Sequence, residues 1–412
     1  MWDIEGGKTL KNICIYNPYL DTKGGGEKVC LALASELSKD HRVSIVIHRK
    51  IDLEDSAAYF DIDLSRVKLN IIKMNAPILK VIRRLPIPRS LKNYTEELWL
   101  YRKLKSKNYD LFINNCFHSN LPNPGRTGVY MCMFPQKLEK EVTKNLLKKG
   151  YRSILHILYK YTLYQSKRHS VDTYDLITAN SLYTQKYVKK FWGLNSKILY
   201  PICDSMLSQN IKKEKIILSV GRFFENLENN HHKRQDFLLE EFIKMKKMHK
   251  QGWELHFAGT VEKSKSGAIY IVSLMNMAKN YPVVFHFDCG FNELKYLYNQ
   301  ASIYWHATGY GSDIDKYPEK QEHFGITTVE AMSAGAIPVV INSAGQKESV
   351  IQGKTGYLWN NQDELIKYTN KVAEMDSSSS DQLSKTVTKR AERFNSTAFS
   401  NQVKDIFDQF IS

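Results

Sequence analysis

At 412 residues the chain exceeds what one hydrophobic core of ordinary size holds, so two domains are expected. A 42% hydrophobic and 12% aromatic content marks a folded globular protein and excludes a disordered one. The net charge of +16 needs a location before it carries meaning, and no apolar run approaches the roughly 20 residues that span a bilayer.

The opening stretch, MWDIEGGKTLKNICIYNP, lacks a basic-then-apolar signal pattern. Six cysteines (Cys14, Cys30, Cys116, Cys132, Cys203 and Cys289) are scattered without a C-x-x-C pair. They read as reduced, mostly buried thiols of a cytosolic protein, and no structural zinc is expected. The charge is concentrated. Residues 78–105 hold eight Lys/Arg against two Glu, and residues 133–170 hold nine against two. Both windows interleave bases with Leu, Ile, Tyr and Trp, as a surface facing anionic lipid would. Solvated amphipathic helices or a nucleic-acid groove would give similar runs.

In chain order, KNICIYNP (11–18) reads as a short buried strand, and Gly24, Gly25 and Gly26 then make a tight loop into a helix opened by Glu27. Further strands are expected at 41–49, 67–74, 109–116 and 128–134, and residues 174–192 repeat the strand-turn-helix theme. These strands are apolar on both sides, which fits a parallel sheet covered by helices. A polar joint, SMLSQNIKKEK (205–215), leads to a second run with strands at 216–223, 253–259, 283–288, 302–307 and 337–341. DSSSSD (376–381) reads as a loop. The pattern predicts an α/β protein of two doubly wound, Rossmann-like parallel-sheet domains facing a cleft. Ligands in such sheets bind at the carboxyl ends of strands, so the triple glycine and the turn at 322–332 should face that cleft.

GGGEK is not a P-loop, because no G-K-[ST] follows, but three glycines before a helix let backbone amides approach a phosphate or sugar. A plain strand-to-helix turn explains it equally. SVGRF places Arg222 just past a strand end and HHKRQ places Lys233 ahead of a helix, a pairing suited to a diphosphate or to plain surface bases. His306 ends a strand and opens a long polar loop, 308–321, as either a packed or a ligand-contacting histidine. In EHFGITTVEAM (322–332), Thr327 and Glu330 have capping-box spacing, while Glu322 and Glu330 beside a helix start also suit sugar hydroxyls. The triplets Asp61-Ile62-Asp63 and Asp313-Ile314-Asp315 follow no phosphate loop and read as solvated acids rather than metal ligands.

Taken in order, EHFGITTVEAMSAGAIPVV, GGGEK, YPICD, SVGRF…HHKRQ and GKTGYL resemble the retaining nucleotide-sugar glycosyltransferases of family four, which have the GT-B fold. YNPYLDTKGGGEKV, NNCFHSN and EHFGITTVEAM look most like the branch holding the dolichol-linked oligosaccharide mannosyltransferases and many bacterial relatives. The resemblance implies an acceptor-binding domain over 1–205, a donor-binding domain over 206–396, and a last helix, 397–412, crossing back to the first. It implies Glu322 at the donor sugar, Glu330 at the ribose, and amides around His323, Phe324, Gly325, Ile326 and Thr327 at sugar and diphosphate. Gly25 and Gly26 would approach the donor, Arg222 and Lys233 would hold the diphosphate, and His118 would be the acceptor-side histidine.

The implied activity is metal-free, cofactor-free transfer of a hexose such as mannose from a GDP- or UDP-sugar to a glycan acceptor, a glycolipid in particular. The basic windows would dock on an anionic membrane, placing a cytoplasmic protein peripherally on an inner membrane face. A GT-B epimerase or hydrolase is the near alternative. A basic nucleic-acid-binding protein is the distant one, disfavoured because it needs neither the two glutamates nor the Arg222/Lys233 pair.

Overall fold

The computed structural model describes residues 4–5, 8–20, 24–138, 146–209, 211–224, 232–262 and 264–411, the side chains of 4, 5, 8, 9 and 146–149 excepted. Part of the second basic window (139–145), the approach to the triple glycine (21–23) and the segment between Arg222 and Lys233 (225–231) lie outside the described residues. The chain divides into two compact units, one reaching to Tyr200 and resuming at Ser400, the other Pro201–Phe399.

The first unit opens with a two-stranded antiparallel pair, β1 (Ile4–Glu5) and β2 (Lys8–Thr9). Its sheet is formed by β3 (Asn12–Tyr16), β4 (Arg42–Ile47), β5 (Lys68–Ile71), β6 (Leu111–Asn114), β7 (Thr127–Cys132), β8 (Leu176–Ala179) and β9 (Lys197–Ile198). Helices α1 (Gly25–Ser38), α2 (Leu53–Phe60), α3 (Pro77–Arg84), α4 (Arg89–Lys105), α5 (Leu146–Thr162) and α6 (Leu182–Trp192) connect them. All seven strands are parallel, in the order β5-β4-β3-β6-β7-β8-β9. Central strands such as Leu-Phe-Ile-Asn of β6 are buried at every position, the consequence of helices on both faces.

The second unit holds β10 (Glu214–Val220), β11 (Glu254–Gly259), β12 (Val283–Phe287), β13 (Ala301–His306), β14 (Ile337–Ile341) and β15 (Tyr357–Trp359). Its helices are α7 (Gln235–Lys244), α8 (Lys246–Lys250), α9 (Lys265–Ala278), α10 (Phe291–Gln300), α11 (Ile326–Ser333), α12 (Gln346–Ser349), α13 (Gln362–Ala373) and α14 (Ser377–Ala391). The six strands are again parallel, in the order β12-β11-β10-β13-β14-β15. Phe242, Phe257, Trp305 and Trp359 fill the core beneath this sheet, each fully buried. The final helix, α15 (Ser396–Ile411), is grouped with the first unit from Ser400, whose hydroxyl donates to Glu36 at 2.8 Å.

One local expectation is overturned. DSSSSD is the start of α14, not a loop. Asp376 is its N-cap and accepts from the Ser379 amide at 2.8 Å and the Ser379 hydroxyl at 3.0 Å. Serines in a first turn cost little because the amides there have no partner within the helix. Burial of Val387 and Ala391 then holds the rest of α14 in place.

In each sheet the strand order reverses once, between β3 and β6 and between β10 and β13. Loops leaving neighbouring strands in opposite directions open a crevice there, the usual ligand position in open α/β sheets.

Candidate active site

At the second reversal, β10 runs out into Gly221-Arg222 and β13 ends on His306. Gly221 is required by close approach. A Cβ on it would lie 2.8 Å from Lys233 Cγ, so its absence lets the lysine stem lie along the strand end. The buried side chain of Gln235 pins this backbone, its amide donating to the Gly221 and Arg222 carbonyls at 3.3 and 3.2 Å. Lys233 thereby reaches Glu322, with Nζ 2.6 Å from Oε2.

The same carboxylate oxygen lies 2.9 Å from His306 Nε2. A carboxylate only accepts, so Nε2 carries the proton. His306 Nδ1 is buried and has no partner among the described residues. Burial holds the His306 ring below the ordinary imidazole range, with Glu322 opposing that shift and Lys233 adding to it. The cluster therefore holds one cation, one anion and one neutral imidazole.

Glu322 is fixed by backbone against backbone. The Gly345 amide donates to the Glu322 carbonyl at 2.9 Å, and a Cβ on Gly345 would come within 2.3 Å of the His323 carbonyl oxygen. Gln321 is buried, accepting from Ser343 at 2.7 Å. Gly325 has φ +97° and is the N-cap of α11, a conformation that costs glycine little. Helix α11 therefore starts at Ile326, with no side-chain cap. The capping-box alternative for Thr327 and Glu330 is not realised, because both lie inside the helix. Thr327 Oγ1 instead accepts from the Tyr304 hydroxyl at 2.7 Å. Glu330, also buried, accepts from Tyr298 at 3.1 Å. Burial, and next the Glu330 charge, push the Tyr298 phenol well up, so it remains a donor.

Phe324 is buried against Phe394, with ring centroids 5.1 Å apart, and His323 Nε2 lies 3.1 Å from the Glu319 carbonyl oxygen. Arg222 is exposed, and its guanidinium has no hydrogen-bond partner among the described residues. Asp313 caps its own loop, accepting from the amides of Asp315 and Lys316, and Asp63 accepts from Ser65 in the same manner. Both acidic triplets thus make turns. Among the described residues no group of three or more His, Cys, Asp and Glu could hold a metal.

Gly25, Gly26 and His118 belong to the first unit. Gly24 caps α1 and its amide donates to the Glu27 carboxylate at 2.9 Å, while a Cβ on Gly26 would meet Met133 Cε at 2.6 Å. His118 follows β6 by four residues, exposed, with its ring stacked on Phe117 at 4.0 Å. At the first reversal the strand ends carry amides. Asn17 Nδ2 donates to Asn115 Oδ1 at 2.9 Å, and Asn114 Nδ2 donates to the Tyr174 hydroxyl at 2.8 Å.

Sequence reading missed Gln235, Gln321 and Tyr298, because nothing in their spacing marks a buried polar partner. The one available signal was for His306, a polar residue closing an apolar strand.

Residues 206–391 match the model of the family described as glycosyl transferases group 1. The chain is 26% identical over 278 residues to a GDP-Man:Man(3)GlcNAc(2)-PP-Dol alpha-1,2-mannosyltransferase of Dictyostelium discoideum, covering 61% of this chain and 50% of that one. It is 27% identical over 262 residues to the alpha-1,3/1,6-mannosyltransferase ALG2 of the same organism, covering 56% and 58%. A Yarrowia lipolytica alpha-1,2-mannosyltransferase matches at 28% identity over 191 residues, 43% of this chain and 28% of that one. The matches thus span between 28% and 58% of these curated relatives. Among solved structures, Anabaena Alr3699/HepE in complex with UDP and glucose aligns with a TM-score of 0.64 at 15% identity, covering 97% of this chain and 99% of that one. The lipopolysaccharide glycosyltransferase WaaG aligns at 0.59 and 16%, covering 96% and 98%. The fold is GT-B, and residues 206–391 carry the match to the group 1 glycosyl transferases.

Proposed function

We propose that the protein is a retaining hexosyltransferase that works without a metal, transferring the sugar of a nucleoside-diphosphate sugar to a hydroxyl of a lipid-linked glycan. The observation that carries this reading is the Lys233–Glu322–His306 cluster at the strand reversal of the group 1 domain. Glu322 occupies Lys233 in the absence of ligand. An arriving diphosphate competes for that lysine, a stronger partner because it offers several charged oxygens. The exchange turns the Glu322 carboxylate toward sugar hydroxyls, with His306 keeping it oriented. Arg222, exposed beside the same strand end, adds the second positive charge that a metal would otherwise bring. The amino end of α11, around His323 to Thr327, adds amides to the same anion. Glu330 takes the ribose.

In the transfer, the bond from the anomeric carbon to the departing phosphate oxygen breaks and a bond to the acceptor oxygen forms on the same face. The acceptor proton goes to the departing phosphate. Stabilising the charge that grows on that phosphate is the largest catalytic contribution expected of Arg222 and Lys233. Gly25, Gly26 and His118 of the first unit serve the acceptor side and the donor's approach. The named activity of the alpha-1,2-mannosyltransferase relatives supports a lipid-linked acceptor and GDP-mannose, whereas the UDP of the Anabaena complex keeps UDP-sugars in view. The reading places the protein peripherally, on an inner membrane face where a lipid-linked acceptor is met.

Thermal shift against GDP, UDP, ADP and TDP and their sugar conjugates, with and without EDTA, tests the donor half. Stabilisation by one conjugate, unchanged by EDTA, names the donor. Radiolabel transfer from it to a lipid-linked glycan, with the anomeric configuration read by NMR, tests the rest. Indifference to every nucleotide sugar would end the transferase reading.

A further inference from the structure

Helices α3, α4 and α5 of the first unit pack together. Helix α4 is the inner member, with Tyr94, Leu100, Tyr101 and Leu104 buried, and α3 and α5 each pack against it. The inward side of α5 is accounted for. Tyr151 meets the Ser90 hydroxyl at 2.9 Å, the Tyr159 ring stands 4.9 Å from that of Tyr94, and Thr162 meets the Tyr94 hydroxyl at 2.8 Å.

The outward side is where the helix departs from soluble practice. A surface helix puts polar residues toward water. Here the outward stripe is Ile154, Ile157, Leu158 and Tyr161, spaced i, i+3, i+4, i+7, with Ile154 62% and Tyr161 67% exposed. Helix α3 repeats the arrangement. Leu79 is buried, while Ile78, Val81 and Leu85 face outward, Val81 at 57% exposure. Exposed cations accompany both stripes: Lys80 and Arg84 on α3, beside Arg83, which pairs with Glu96 of α4 at 2.6 Å, and Arg152 on α5.

The charge chooses the occupant. A nucleic acid would use the cations but has no use for exposed aliphatic stripes. A protein's apolar patch would cover the aliphatics and leave the cations to be desolvated beside it, at a cost. An anionic bilayer offers acyl chains beneath a negative headgroup layer, matching both features at once. We propose that the outward faces of α3 and α5 dock on an anionic lipid surface, their aliphatic side chains entering the headgroup boundary and the neighbouring Lys and Arg meeting lipid phosphates. This deepens the proposed function and rests on it only for purpose, the presentation of the chain to a lipid-linked acceptor.

The test is co-sedimentation of the full chain with phosphatidylcholine vesicles, with and without phosphatidylglycerol, across a salt series. The chain should pellet with the mixed vesicles, remain in solution with the neutral ones, and release as salt rises. Ile154→Asp with Ile157→Asp should weaken that partition by about tenfold or more, while far-UV circular dichroism and melting temperature stay at the parent's values. Val81→Asp should give a smaller loss through the second helix. A parent that ignores anionic vesicles, or an Ile154→Asp/Ile157→Asp protein that binds them as well as the parent, would overturn the proposal. So would an RNA oligonucleotide that displaces the vesicles and binds that variant with the parent's affinity. Thermal shift with the nucleotide sugar, run on the same proteins, separates the two ideas. Donor binding without vesicle binding removes the docking face alone, and vesicle binding without donor binding removes the transferase alone.

Discussion

The two strand reversals of this protein share a topology and differ in chemistry. The first, at the ends of β3 and β6, is lined by Asn17, Asn114 and Asn115, Asn17 joined to Asn115 and Asn114 to Tyr174 through neutral hydrogen bonds. The second, at the ends of β10 and β13, carries an ion pair held against a neutral imidazole. The contrast teaches that the doubly wound sheet chooses the place and the strand-end residues choose the chemistry. Amides offer both donors and acceptors to an uncharged polyol and need no counterion, whereas a diphosphate requires cations already in position.

The largest expected effect breaks the charged end. Glu322→Ala should lower turnover by about 10²–10³-fold, the scale of one lost preorganised electrostatic contact, while nucleotide affinity by calorimetry stays within a few-fold of the parent. Turnover near the parent's value would remove Glu322 from the mechanism. Next is the backbone support of that same carboxylate. Gly345→Ala puts a methyl against the His323 carbonyl and should destabilise the second unit by about 1–3 kcal/mol in denaturant titration. An unchanged midpoint would mean that the 322–325 turn yields freely.

The neutral end should respond differently. Asn114→Ala removes its bonds to Tyr174 and Ser119 and should cost about 1 kcal/mol, with donor-induced thermal shift unchanged. A lost donor shift would show that the two ends do not divide the work as drawn.

The smallest effect is on pH dependence. Burial lowers the pKa of His306, His232 and His256 in the second unit and of His48 in the first. Their native rings stay neutral while the unfolded chain takes up protons near pH 6.5, so stability should fall as pH drops below about 6.5. His306→Gln should flatten that slope in a melting-temperature series from neutral to mildly acidic buffer, and an unaltered slope would mean that His306 does not contribute to it.

Most strands were legible because continuous apolar runs such as IILSV, bounded by turns, have few other ways to be buried. The three-residue strand β15 was too short to register by pattern. The reading of DSSSSD as a loop failed because serine composition says turn, whereas an Asp cap and the packing of Val387 say helix. The capping-box spacing at Thr327 was real in sequence and empty in structure, because Gly325 had already taken the cap position with its left-handed backbone. Arg222, Lys233 and Glu322 were legible as a set only through the ordered motifs around them. Their individual spacing fits surface charges as well.

The sequence by itself determined the two parallel sheets and the charged windows, since both follow from local patterns of apolarity and charge. Only the tertiary structure decided that Lys233 meets Glu322, 89 positions further along the chain, and that His306 is a partner rather than packing. It also decided that the aliphatic residues of α3 and α5 face outward. Those outcomes depend on which strand ends become neighbours and which helix faces are already covered. Neither is written in any local stretch of residues.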